Sequence, residues 1–331
     1  MSHLKRFYCE SIPVPRDKLT LDSTQSHHLK NTLRLRLHSV IEIFNNHNES
    51  YLAEVSLIPS KGGVELKILS KTAPVTSFPV PNITLACAIA KGNRMDWLIE
   101  KTAEIGLTKL IPIITDRTVV KPYGHAPLER TIIRDKDKYT GPHPVQELVP
   151  LEAKPREDKN LSESHTSHSK NASNGLRSIS VLQPLSNGLR SPENLLLHTK
   201  KMERWHKLAI SAAKQTGQNS ILDIAQPILF NSLGNLIKDF SLSLIAVPNA
   251  DKYLPEILES SDVYRETGKI LYLIGPEGDF TPAETEQAIN WGVKPVRLPV
   301  NSILRVETAA VTMLAMLLYQ YYKSYASVKK T

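Results

Sequence analysis

Hydrophobic positions follow two regimes along this chain. Up to about residue 75 they come in short runs, 40–44, 51–58 and 64–69, separated by the turn signals Asn45-Asn46 and Gly62-Gly63. These predict a small β-barrel or sheet module over 1–75. From residue 81, short apolar runs alternate with helical periodicity. Runs 83–89 and 109–115 read as strands. Between them Met95, Leu98, Ile99, Thr102 and Ala103 share one face of a helix predicted over 94–105 and ended by Gly106. The three form a βαβ unit.

Thr72 to Pro81 contains three prolines and reads as a linker. Residues 121–199 contain no Phe or Trp, are rich in Ser, Asn, Pro and mixed charge, and show no sustained period, which predicts a disordered insertion. Ser-Asn-Gly-Leu-Arg-Ser occurs twice there, at 173–178 and 186–191, a local duplication much shorter than a structural repeat. A second domain is thus expected over 81–120 and 200–328. It resumes with a helix over 201–216, packing through Trp205, Leu208, Ala209 and Ala212, and continues with strands 242–247, 269–274 and 295–298.

Two loops then carry the chemistry. After strand 269–274, Gly275-Pro276-Glu277-Gly278 breaks the apolar run; Thr281, Pro282 and Glu284 spell the N-cap, first residue and capping-box partner of a helix over 282–290. After strand 295–298, Asn301 to Arg305 leads to Glu307-Thr308 at the mouth of a long helix, whose Ala310, Met313, Leu314, Leu317 and Leu318 form one apolar stripe, core or subunit interface. Glycine loops leaving strands let backbone groups approach a small ligand closely. A lone Gly-x-x-Gly is more often a plain strand-to-helix turn.

Composition narrows the class. With 331 residues the chain is long enough for two domains, and a net charge of +8 suits an anionic partner. Cys9 and Cys87 have no metal-type spacing, and His27-His28 lacks a paired ligand motif, so no metal is expected. No apolar stretch approaches the ~20 residues needed to span a bilayer, and Met1 to Arg6 has no signal-peptide core. A cytoplasmic protein is expected.

Gly-Pro-Glu-Gly-x-Phe at 275–280 followed by Leu-Arg-x-Glu-Thr-Ala at 304–309 resembles the RsmE family of 16S ribosomal RNA methyltransferases, of the SPOUT class. Three further segments agree in order: Arg6-Phe7, Lys91-Gly92-Asn93-Arg94-Met95 leading to Glu104-Ile105-Gly106, and Ala212 to Gln218. Asp279 stands where that family usually has glycine, Val306 where it has threonine, and His38-Ser39 where it has a Gly-Asp turn.

The resemblance implies an α/β fold in which a small PUA-like RNA-binding β-barrel domain precedes a SPOUT-type parallel-sheet domain with a C-terminal trefoil knot. It implies S-adenosyl-L-methionine as cofactor, small-subunit ribosomal RNA as partner, a homodimer, and methyl transfer to uridine N3. Ile274, Gly275, Pro276, Glu277, Gly278, Ser302, Leu304, Arg305 and Thr308 would hold the cofactor, with Arg305 and Glu307 catalytic. Arg6, Arg34, Arg36, Lys91, Arg94 and Gln215 would meet RNA.

For several of these a plainer reading stands beside the functional one. Arg34 and Arg36, sharing a face if extended, could be a solvated strand edge, Lys91 and Arg94 ordinary helix-start residues, and Gln215 part of a glycine helix stop. The rival functions are a catalytically idle ribosome-binding or assembly protein on the same fold, and a Rossmann or P-loop enzyme. Neither the GxGxxG nor the GxxxxGK[ST] fingerprint of the latter occurs.

Overall fold

The structure, a computed structural model, describes residues 4–13, 17–47, 49–72, 81–119, 192–261 and 268–328, with 192–198 through the backbone alone. The insertion expected at 121–199 and most of the proline linker therefore lie outside the described residues, apart from 192–199.

The N-terminal sheet has five strands, β1 (Arg6–Tyr8), β2 (Lys18–Thr20), β3 (Val40–Phe44), β4 (Ser50–Leu57) and β5 (Glu65–Lys71), in the order β1-β3-β4-β5-β2. β1 runs parallel to β3 and the other pairs are antiparallel. Period-two alternation turns Ile41, Ile43, Ala53, Val55, Leu66 and Ile68 inward, all fully buried. Register shifts at Leu52/Ala53 and Val55/Leu57 bend β4 against β5 and help curl the sheet around this core. Helix α1 (Ser23–His27), capped by Asp22 accepting from Gln25 N at 2.7 Å, and a wider helical turn over His28–Thr32 close one end with Leu29.

The second sheet is parallel. Its strands are β6 (Ile83–Ala88), β7 (Lys109–Ile114), β8 (Asp223–Ile224), β9 (Ile228–Leu229), β10 (Leu242–Ala246), β11 (Ile270–Ile274) and β12 (Lys294–Val296). They run in the order β12-β10-β11-β6-β7-β8, with β9 also pairing β7. β6 and β11 are buried at every position, as strands covered on both faces should be. One face carries α2 (Arg94–Ile105), α3 (Pro192–Thr216), α5 (Leu254–Glu259) and α7 (Val306–Val328). The short α4 (Gly234–Ile237) and α6 (Pro282–Asn290) contribute to the core on the other.

The stripe Ala310, Met313, Leu314, Leu317 and Leu318 is buried within the chain's own core, so the open choice between core and subunit interface resolves to core. α3 starts at Pro192, not near residue 201. Proline is well tolerated in a first helical turn, so Pro192 can open the helix.

The N-terminal sheet meets the end of α3 at Arg6. Its guanidinium donates to Ala213 O at 2.9 Å, Gln218 O at 3.0 Å and Glu42 Oε2 at 3.0 Å, with a further bond to Asn219 Oδ1. It also lies over the Phe44 ring, 4.3 Å from the centroid. The left-handed Gly217 and the carbonyls at the end of α3 are thereby fixed to β1.

Candidate active site

In parallel sheets ligands bind beyond the carboxyl ends of the strands. Three adjacent strands end at one place here. The segments following β10 (Val247 to Asn249), β11 (Gly275 to Asp279) and β12 (Arg297 to Arg305) surround a cavity of about 670 Å³, within the range of small-molecule sites. Val247, Leu298, Val300 and Leu304 give it apolar walls, while Glu277, Asp279, Ser302 and Arg305 supply polar groups.

The loop after β11 is held from several sides. A Cβ on Gly275 would stand 3.0 Å from both Phe280 N and Phe280 Cδ2, so the chain folds back on itself too closely for a side chain. Asp279 has φ +61°, the left-handed region in which glycine is at ease and Asp is among the better-tolerated alternatives. Its Oδ1 accepts from Phe280 N at 2.8 Å, a local bond that helps it hold this conformation. Arg117, just beyond β7, donates to Gly278 O at 2.7 Å. The predicted capping box of α6 is formed, and buried Glu284 also accepts from Asp116 N at 2.9 Å, tying the loop after β7 to α6.

A second hollow, about 540 Å³, is lined by Lys91, Asn93, Arg94 and Trp97 from the start of α2 and by Arg305, Glu307 and Thr308 from the start of α7. Arg305 lines both spaces. Between them Glu277 Oε1 accepts from Arg94 Nη1 at 3.0 Å and from Lys91 N at 3.4 Å. Glu307 is 9% exposed, and its Oε2 is buried without a hydrogen-bond partner among the described residues. A buried carboxylate oxygen left unpaired costs free energy.

Ile274, Gly275, Pro276, Glu277, Ser302, Leu304 and Arg305 thus line the first cavity, and Lys91, Arg94, Arg305, Glu307 and Thr308 the second. Gly278 belongs to the same loop but lines neither. Val306, in the position where threonine was expected, is buried and opens α7 from within the core.

Other expected residues lie elsewhere. Arg6 has a side chain only 7% exposed, and its donors go to Glu42, Ala213 and Gln218, so in the structure it ties the N-terminal sheet to the end of α3. Gln215 is exposed at the end of α3 and lines neither cavity. Arg34 and Arg36 are not on a strand, because the helical turn before them and φ +51° at Arg34 break the extension. The alternation still has its effect, since Leu33 and Leu35 pack inward and both arginines are exposed. His38, in place of a glycine, has φ +67°.

Sequence reasoning missed Arg297, Tyr253, Arg117 and Trp97. Arg297 lies over the Tyr253 ring, 4.0 Å from its centroid, and both line the first cavity. Its position one residue past β12 was the available signal, since cavity walls come from strand ends. Neither thiol is poised for nucleophilic chemistry: burial pushes Cys9 up to about 12 and Cys87 further still. Among the described residues no group of three or more His, Cys, Asp and Glu side chains could hold a metal, and no helix is long and apolar enough to cross a membrane.

Comparison with known proteins places this geometry. Residues 76–132 and 180–318 match the RNA methyltransferase domain family, and 21–69 match the RNA methyltransferase PUA domain. The ribosomal RNA small subunit methyltransferase E of Buchnera aphidicola subsp. Schizaphis graminum is 21% identical over 314 residues, 95% of each chain. That of Bacillus subtilis is 22% identical, covering 91% of this chain and 90% of its own. Among solved structures, the corresponding Neisseria gonorrhoeae enzyme bound to S-adenosyl methionine superposes with a TM-score of 0.65 at 22% identity, over 96% of this chain and 98% of that one. A Legionella pneumophila methyltransferase holding the same cofactor gives 0.66 at 23%, over 95% and 97%. The curled N-terminal sheet is the PUA-like domain, the parallel sheet is the methyltransferase domain, and the chain belongs to the RsmE family of RNA methyltransferases.

Proposed function

We propose that this protein methylates N3 of a uridine in small-subunit ribosomal RNA, using S-adenosylmethionine. The observation that carries the reading is that a cavity with apolar walls and a hollow lined by cations share Arg305, with Glu307 in the lining of the second. One space suits a small cofactor and the other an anionic polymer.

The residues present fit the cofactor. The close-turning backbone around Gly275 to Asp279, the apolar walls and the buried Arg297 Nε, which has no partner among the described residues, offer a cradle for a nucleoside with a charged tail. The two solved relatives holding this cofactor support the assignment. When bound, S-adenosylmethionine supplies a methyl group on a sulfonium sulfur, which keeps the electron pair as the methyl leaves. The chain's own residues do the rest. Arg305 places positive charge where the uracil anion develops, and Glu307 Oε2 accepts the N3 proton as the N3–C bond forms. Arg94 and Glu277 hold the two walls in register, which is catalysis by orientation.

Exposed Arg34 and Arg36 on the PUA-like domain give a second electrostatic contact for RNA. The reading includes a homodimer and a knotted C-terminal segment. Calorimetric titration with S-adenosylmethionine tests it: saturable binding that weakens in Arg305→Ala is expected, and no binding to the folded protein at millimolar ligand would contradict it.

A further inference from the structure

The second hollow is lined in part by Trp97, which is 43% exposed, in the first turn of α2. A large aromatic side chain left open beside cations and an unpaired carboxylate is unusual, since Trp is normally mostly buried. The other two tryptophans are engaged: Trp205 is 1% exposed in the core, and Trp291 packs on Phe230 with ring centroids 5.3 Å apart. The hollow's lining offers an occupant the exposed Trp97 aromatic side chain, the Glu307 carboxylate, whose buried Oε2 lacks a hydrogen-bond partner among the described residues, and positive charge from Lys91 and Arg305. A planar ring with an N–H flanked by two carbonyl oxygens and attached to a phosphate chain meets all three demands.

We infer that this hollow is the acceptor-nucleotide site, with the target uracil stacked on Trp97 and its N3–H donated to Glu307. The inference rests on the methyltransferase reading and adds to it a substrate-binding residue and a basis for base choice. Uracil presents a donor at N3, whereas cytosine presents an acceptor there, which would face the Glu307 carboxylate with no hydrogen between them. Selection for uracil over cytosine therefore follows from the same unpaired oxygen that takes the proton. Stacking tolerates any base, so Trp97 supplies affinity and Glu307 supplies discrimination.

The test uses the full chain saturated with S-adenosylhomocysteine and single-stranded RNA hexamers carrying one central uridine or cytidine. The uridine hexamer should quench tryptophan emission in the wild type, more tightly than the cytidine hexamer, and the quench should disappear in Trp97→Phe. In methylation assays Trp97→Ala should raise KM for small-subunit RNA about tenfold, with affinity for S-adenosylmethionine unchanged and Trp97→Phe recovering most of the loss. A quench that persists in Trp97→Phe, or a wild-type KM in Trp97→Ala, would overturn the inference. So would a Trp97→Ala protein that falls from dimer to monomer, because the indole would then be covered by a second copy. Trp97-dependent quenching in a protein that transfers no methyl group would count against the methyltransferase reading alone.

Discussion

Arg94 Nη1 donates to Glu277 Oε1 across 3.0 Å, joining residues 183 apart in sequence and linking the helix that walls the hollow to the loop that walls the cavity. Both side chains are partly exposed, so the pair is worth at most about 1 kcal/mol to folding. Its larger consequence is positional. Arg94→Ala should leave the melting temperature within a few degrees of wild type while weakening S-adenosylmethionine binding about three- to tenfold, by freeing Glu277. Paired thermal melts and calorimetry would separate the two effects.

The two loop glycines should respond differently to alanine. At Gly275 the new Cβ would lie 3.0 Å from backbone and ring atoms of Phe280, whereas at Gly278 the nearest atom is Arg117 Cδ at 3.5 Å, an ordinary contact. Gly275→Ala should cost about 1–3 kcal/mol, and Gly278→Ala about 0.5 kcal/mol or less. Urea unfolding midpoints would show the contrast.

Arg6→Ala should be severe for stability and unremarkable for RNA. The change strips a buried ion pair with Glu42 and leaves the carbonyls of Ala213 and Gln218 without their donor, costing about 3–5 kcal/mol. Arg6→Lys should not restore it, because a single ammonium cannot reproduce the planar fork. A variant that kept its melting temperature but lost RNA affinity would contradict the placement.

This residue also marks how far the sequence could be read. The capping box Thr281-Pro282-Ala283-Glu284, the stripe Ala310 to Leu318 and the strand ending at Ile274 follow from spacing within a few residues, and each formed as expected. The first cavity was legible because both its main loops announce themselves in the sequence, at Gly275 to Gly278 and at Asn301 to Arg305. Arg6, Arg297 and Trp97 were not legible in the same way. Their roles depend on partners far along the chain, Ala213, Tyr253 and Glu307 among them, and local periodicity carries no information about such meetings. Arg34 failed for a local reason: alternation predicts which side chains point out, but it does not distinguish a strand from an irregular segment with one left-handed residue.

Asp279 gives a pH-dependent prediction. Burial, partly offset by the Phe280 amide and by Arg117, raises its carboxyl above the ordinary aspartate range. A group whose folded pKa is raised contributes stability that is present below its unfolded value of about 4 and is lost as pH rises through the folded value. Asp279→Asn keeps the left-handed residue's side-chain acceptor without the charge. It should therefore be more stable than wild type near neutrality, and the difference should shrink to nothing as pH falls below the unfolded value. Denaturation midpoints at several pH values would test the sign.

The most direct measurement is methyl transfer itself. Unmodified small-subunit ribosomal RNA, free and assembled, would be incubated with the protein and methyl-labelled S-adenosylmethionine, and the product nucleosides identified. The account predicts label as N3-methyluridine at one position, lowered about 10²–10⁴-fold in Glu307→Gln while that variant still binds the cofactor. Label on another atom or base, or full activity in Glu307→Gln, would contradict it.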